Sequence, residues 1–204
     1  APGYVERQQN PVTAHDPWPV SAAAEALHAR LIIGDWHADS LLWDRDLTQR
    51  SDRGQVDLPR LIAANVAVQV FTTVTKSPAG LNYTQNSADA RDNITLLYIG
   101  QLRPFRSWMD LTERALEQAR QLHLAEEKAP EMLKIVRTRA DLDAVLARRA
   151  AGEPVVGGIL GAEGGHALNG YLDNLDRLYD AGFRLMGLTH FFDNELGASL
   201  HGEA

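Results

Sequence analysis

The sequence predicts an α/β protein that forms about the first half of a TIM-type (β/α)8 barrel. Three observations carry that reading. From Leu31 onward, strand-like and helix-like segments alternate, the order expected of βα repeats on a parallel sheet. Residues Pro154 to Gly161 are almost continuously apolar, as a strand covered on both faces must be. The major strands number about four where closure needs eight, and a full barrel takes about 250 residues, whereas about 30 of these 204 precede the first strand. Half a barrel leaves a strand edge and core surface open unless something covers them.

Each element follows from local chemistry. Residues 1–20 hold Pro2, Pro11, Pro17 and Pro19 among scattered polar residues, which predicts an extended arm. Ser21 to Arg30 reads as a short helix and completes a leading unit over residues 1–30. The barrel portion is expected over 31–204. Leu31 to Asp35 is the first strand. Asp57-Leu-Pro-Arg opens a helix with proline in its first turn, and Val66 to Val74 is a second strand rich in Val, Phe and Thr. Lys76 to Asn86 is a loop. Two helices are expected next, over Asn86 to Phe105 and Asp110 to Glu127, the second with Leu111, Ala115, Ala119 and Leu122 on one face. Asp110 suits its N-cap and Pro130 its end. A short strand over Lys134 to Val136 leads into a capping-box start at Thr138 and Asp141, and that helix stops at Gly152. Tyr171 to Ala181 is a helix ending at Gly182, and Phe183 to Thr189 is the last strand.

Composition excludes several function classes. The net charge is −7, and no basic cluster is longer than Arg148-Arg149, so a nucleic-acid partner is not expected. The longest apolar stretch, Val155 to Ala162, is far short of the roughly 20 residues that span a bilayer. Without cysteine there is no disulfide framework and no thiolate ligand or nucleophile, so any metal must be held by His, Asp and Glu. The chain opens Ala-Pro-Gly, which fits either a trimmed signal peptide or other processing. The first reading places the protein in the periplasm or outside the cell, and the second leaves the cytoplasm open.

The chemistry-bearing residues lie at strand exits, where a βα barrel builds its site. His37 and Asp39 are two apart, so in extended chain they point the same way and can converge on one ion. Imidazole with carboxylate suits Zn2+ or a similar divalent metal. Glu163 follows the apolar strand directly, and Gly164-Gly165 lets the backbone turn with nothing bulky beside the carboxylate. A glutamate there can bridge two ions, or it can cap the next helix. His166 reads as a structural or supporting histidine, and His190 closes the last strand. Trp36, Trp43, Phe191 and Phe192 flank these positions and are candidates for a pocket wall.

Three segments, Asp35-Trp-His-Ala-Asp39, Gly161-Ala-Glu-Gly-Gly-His-Ala-Leu168 and Arg184-Leu-Met-Gly-Leu-Thr-His190, occur in an order that resembles the N-terminal half of the membrane (renal-type) dipeptidase family. The resemblance implies a zinc-dependent barrel with two ions bridged by a glutamate and a bridging water that attacks the peptide bond of a dipeptide. By motif match, His37 and Asp39 are implied as ligands of one ion and Glu163 as the bridge. His190 is implied as the histidine that contacts and polarises the substrate. The family's two further zinc histidines, its carboxylate-binding arginine and its proton-transferring aspartate are not found up to Ala204. Trp36 replaces a common Gly, and the segment after His190 lacks the usual Ala-Asp pair. Activity is therefore expected only if a C-terminal segment or second chain completes the site. The alternatives are a non-catalytic half-barrel binding one metal or a partner, a homodimer, or an amidohydrolase relative acting on another small amide.

Overall fold

Five strands and seven α-helices make up the regular structure among the described residues, 3–203, in a computed structural model. The strands are β1 (Ile33–Ala38), β2 (Val66–Thr73), β3 (Leu133–Ile135), β4 (Val156–Ala162) and β5 (Phe183–Met186). Every pairing is parallel, and the order runs β1, β2, β4, with β3 beyond. β2 lies along β4 from Gly157 to Ala162, so β3 and β5 share the other edge of β4 end to end, β3 at Val156–Gly158 and β5 at Leu160–Ala162. The sheet is thus four columns wide, and its C-terminal strand ends all emerge on one side.

Sequence chemistry explains the elements. β2 is buried at all eight positions, and β4 is buried at all but Ile159, as two strands inside a parallel sheet should be. Glycines let neighbours close over β4, since a Cβ on Gly158 would stand 3.0 Å from Leu133 Cδ1 and 3.3 Å from Phe71. Behind the sheet, α5 (Leu111–Lys128) buries Ala115, Ala119 and Leu122 against Leu133, Leu160 and Leu178. Its N-cap is Asp110, whose carboxylate accepts from the Glu113 N–H at 2.9 Å. α6 (Arg139–Ala150) opens on the expected capping box of Thr138 and Asp141. α3 (Leu58–Ala63) starts from Asp57 with a proline in its first turn, and α7 (Asn174–Asp180) leads into Gly182 at φ +107. α2 (Ala22–His28) is capped by Ser21. No helix among the described residues is long and apolar enough to cross a membrane.

Three expectations need correction. Residues 1–20 are not wholly extended, because Tyr4–Gln9 form helix α1. The four prolines all fall outside that helix, and Glu6 on its inner face is buried against Arg45 and Arg53. The helix expected over residues 86–105 shrinks to α4 (Asn93–Gly100). Asp92 caps it by accepting from the Ile94 and Thr95 N–H groups, and Leu102 at φ +57 with Pro104 behind it ends it. The last strand stops at Met186, so His190 lies in a loop and not at the strand's end. Gly187 marks the departure, passing so close to β4 that a Cβ there would meet the Glu163 carbonyl oxygen at 3.0 Å.

Candidate metal centre

The exits of β1, β2 and β4 and the loop after β5 meet at one end of the sheet. His37 is in β1 and Asp39 is one residue past it, so the alternation of extended chain aims both inward while Trp36 points out at 67% exposure. Trp36 therefore does not wall this site. Glu163 follows β4. One ligand atom each from His37, Asp39 and Glu163 lies within 4.8 Å of the others, and this is the one such trio found among the described residues. His37 Nε2 stands 3.3 Å from Asp39 Oδ1 and 3.5 Å from Glu163 Oε1. His190 Nε2 approaches the same Glu163 oxygen at 3.0 Å. All four residues singled out in the sequence are brought together.

Electrostatics shows an excess of negative charge. Asp39 is held above the ordinary aspartate range, first by burial and then by the charge of Glu163, against the hydrogen bond it accepts from Thr72 Oγ1 at 2.5 Å. His190 is raised above the ordinary histidine value because its ring donates to Glu163, although burial pulls the other way. Two carboxylates compressed towards one imidazole form a donor set with room for a cation. Thr72 was not marked in the sequence. The available signal was its place at the end of β2 on the same face of the sheet.

The Gly164-Gly165 pair is required by close approach and not by a left-handed backbone. A Cβ at Gly164, whose φ is −169, would stand 2.5 Å from His166 Nδ1, and one at Gly165 would meet Leu196 at 2.3 Å and the Leu188 carbonyl oxygen at 2.9 Å. The Gly165 N–H donates to that same carbonyl at 3.1 Å, locking the Glu163 turn to the β5 exit. His166 is buried, its ring packs on Phe192 with centroids 4.7 Å apart, and burial lowers its pKa to about 4. It is a neutral supporting histidine. The His190 loop is held by Ser199 Oγ donating to the His190 carbonyl at 2.5 Å and Asn86 Nδ2 donating to the Phe191 carbonyl at 3.0 Å. Trp43 does line the cleft beside His37 and Asp39, while Phe192 lines a separate cavity with Lys76 and His166.

Comparison with known proteins adds a lineage to this geometry. A model of the membrane dipeptidase family, peptidase family M19, matches residues 21–203. No curated protein gives a significant match. Among solved structures, the chain resembles dipeptidase AC, a metallopeptidase of family M19, at 24% identity and a TM-score of 0.54 over 78% of this chain and 43% of that one. It also resembles a Rhodobacter sphaeroides metallopeptidase solved with a phosphinate mimic of the dipeptide L-Ala-D-Ala, at 21% identity and a TM-score of 0.54 over 78% and 45%. A third likeness is to the probable dipeptidase PvdM of Pseudomonas aeruginosa, at 17% identity and a TM-score of 0.56 over 85% and 38%. The chain thus spans less than half the length of these solved relatives.

Proposed function

Because this chain belongs to the membrane dipeptidase family, we propose that it is the N-terminal portion of a zinc-dependent dipeptidase-like hydrolase. The observation that carries the reading is the convergence of His37, Asp39 and Glu163, from the exits of two strands, with His190 on the shared carboxylate. The donors fit a divalent metal, since imidazole and carboxylate oxygen suit zinc. Asp39 is raised first by burial and then by the charge of Glu163, and a bound cation would offset both. When bound, the ion supplies a Lewis acid and brings the pKa of water towards neutral.

This chain's residues supply the rest. His37 and Asp39 would hold one ion, Glu163 would be shared between that position and a neighbouring one, and Thr72 fixes the Asp39 rotamer. His190 presents its ring nitrogen at the mouth, beside Glu163, placed to polarise a substrate carbonyl. The four-column parallel sheet is read as half of a TIM-type (β/α)8 barrel. Its edge strands expose Trp36 in β1 and Leu185 in β5, with Ile32 and Leu188 exposed just beyond their ends, which supports cover by a further segment or a second chain. The dipeptide substrate class follows from the family, and export remains the proposed location.

A second reading is a one-metal half-site without turnover, favoured by the single three-residue donor trio among the described residues. Metal analysis and hydrolysis assays, run with the segment or second chain that completes the site present, separate the two. Two zinc ions per chain and cleavage of L,L- or L,D-dipeptides, abolished by Glu163→Gln, support the hydrolase. One zinc or none, with no cleavage of dipeptides, acylated amines or lactones, supports the half-site.

A further inference from the structure

Asn10 lies outside the family match, yet it lines part of the cleft beside the candidate ligands. A cavity of about 200 Å3 next to His37 and Asp39 is lined also by Asn10, Trp43, Arg45 and Gln55. Asn10 is the C-cap of α1 and is seated there by backbone contacts, its carbonyl accepting from the Gly54 N–H at 2.9 Å while Pro11 bridges to Arg53.

What holds α1 in place is charge. Glu6 is 1% exposed and places one oxygen 2.6 Å from Arg45 Nε and the other 2.8 Å from Arg53 Nε. The loop is shaped around the same guanidinium, because Gly54 has φ +67 and a Cβ there would stand 2.8 Å from Arg45 Cζ. Among the described residues, Glu6 is the one carboxylate within ion-pair distance of Arg45. Without it the buried guanidinium would lose its ion-pair partner and keep only the weaker pull of Asp57, an arrangement that favours an anion brought by the substrate.

We infer that Glu6 is a specificity-determining residue: through Arg45 it offsets the guanidinium that lines the cleft beside His37 and Asp39, so that side accepts an uncharged substrate group in preference to an anionic one. The inference rests on the hydrolase reading. In that frame Asn10, at the end of α1, is a piece of cleft wall that lies ahead of the residues matched to the family.

The test compares wild type, Glu6→Gln and Glu6→Gln/Arg45→Met, each zinc-loaded, for binding of phosphinate dipeptide mimics that carry either an alanine or an aspartate side chain. Wild type is expected to favour the alanine mimic. Glu6→Gln should move the ratio towards the aspartate mimic by on the order of tenfold, the size of one charge interaction across about 10 Å near a protein surface. Removing Arg45 as well should restore the original ratio. An unchanged ratio in Glu6→Gln overturns the inference. Hydrogen exchange at the Gly54 amide gives a substrate-free readout on the same proteins. It should quicken in Glu6→Gln, and unchanged protection also overturns the inference. If wild type binds neither mimic, the hydrolase reading fails and the specificity role falls with it, whereas the Gly54 result still decides whether Glu6 clamps α1.

Discussion

Asp39 and Glu163 repel each other, and the residues around them are arranged to hold that repulsion in check. Thr72 donates to Asp39, so Thr72→Val is expected to leave the fold intact but to weaken zinc binding about 10- to 100-fold, the usual cost of losing a group that orients a ligand, measured by competition with a chelator. His190 makes a pH-dependent contribution. Its folded pKa lies above the ordinary 6.5, so its pairing with Glu163 stabilises the metal-free protein fully below about pH 6.5 and is lost as pH rises through the raised value. Denaturant titrations of metal-free wild type and His190→Ala should therefore show a stability difference that is larger at pH 6 than at pH 9, and a pH-independent difference would contradict the pairing. At this scale the sequence was readable where the signal was local. His37, Asp39, Glu163 and His190 sit within short patterns at strand exits, whereas Thr72 and Glu6 act on residues 33 and 39 positions away, and no local pattern marks such pairs.

The elements were legible wherever a cap or a buried run announced them. Asp110 and Thr138 cap the helices expected of them, and Asp57 and Ser21 prove to cap the helices expected to begin there. Thr138→Ala should lower the stability of the protein by about 1 kcal/mol, read from urea unfolding, because both arms of the capping box are present. Gly165→Ala is expected to cost more, about 1–3 kcal/mol, since the new methyl meets a backbone carbonyl and Leu196 in a packed turn. The limits of α4 and β5 were misread because apolar residues such as Leu102 and Leu188 extend the pattern after the backbone has already turned. The helix at Tyr4–Gln9 was missed because the prolines around it dominated the composition, while its anchor is an ion-pair cluster with distant arginines.

Across the whole molecule, the alternation of strands and helices was enough to predict a parallel sheet, and all four pairings are parallel. The column order was not readable, because β3 and β5 dividing one edge of β4 depends on their shortness and on glycines that admit neighbours closely. Exposed apolar residues on the edge strands, Trp36 in β1 and Leu185 in β5, are surface that the proposed further segment or second chain would cover. The central claim is that three side chains from two strand exits form a metal site. Zinc titration of the metal-free chain beside Asp39→Asn and Glu163→Gln tests it most directly. Tight binding by wild type, with affinity falling by orders of magnitude in both variants, is the expected result, and equal binding by all three proteins, or none by wild type, would contradict it.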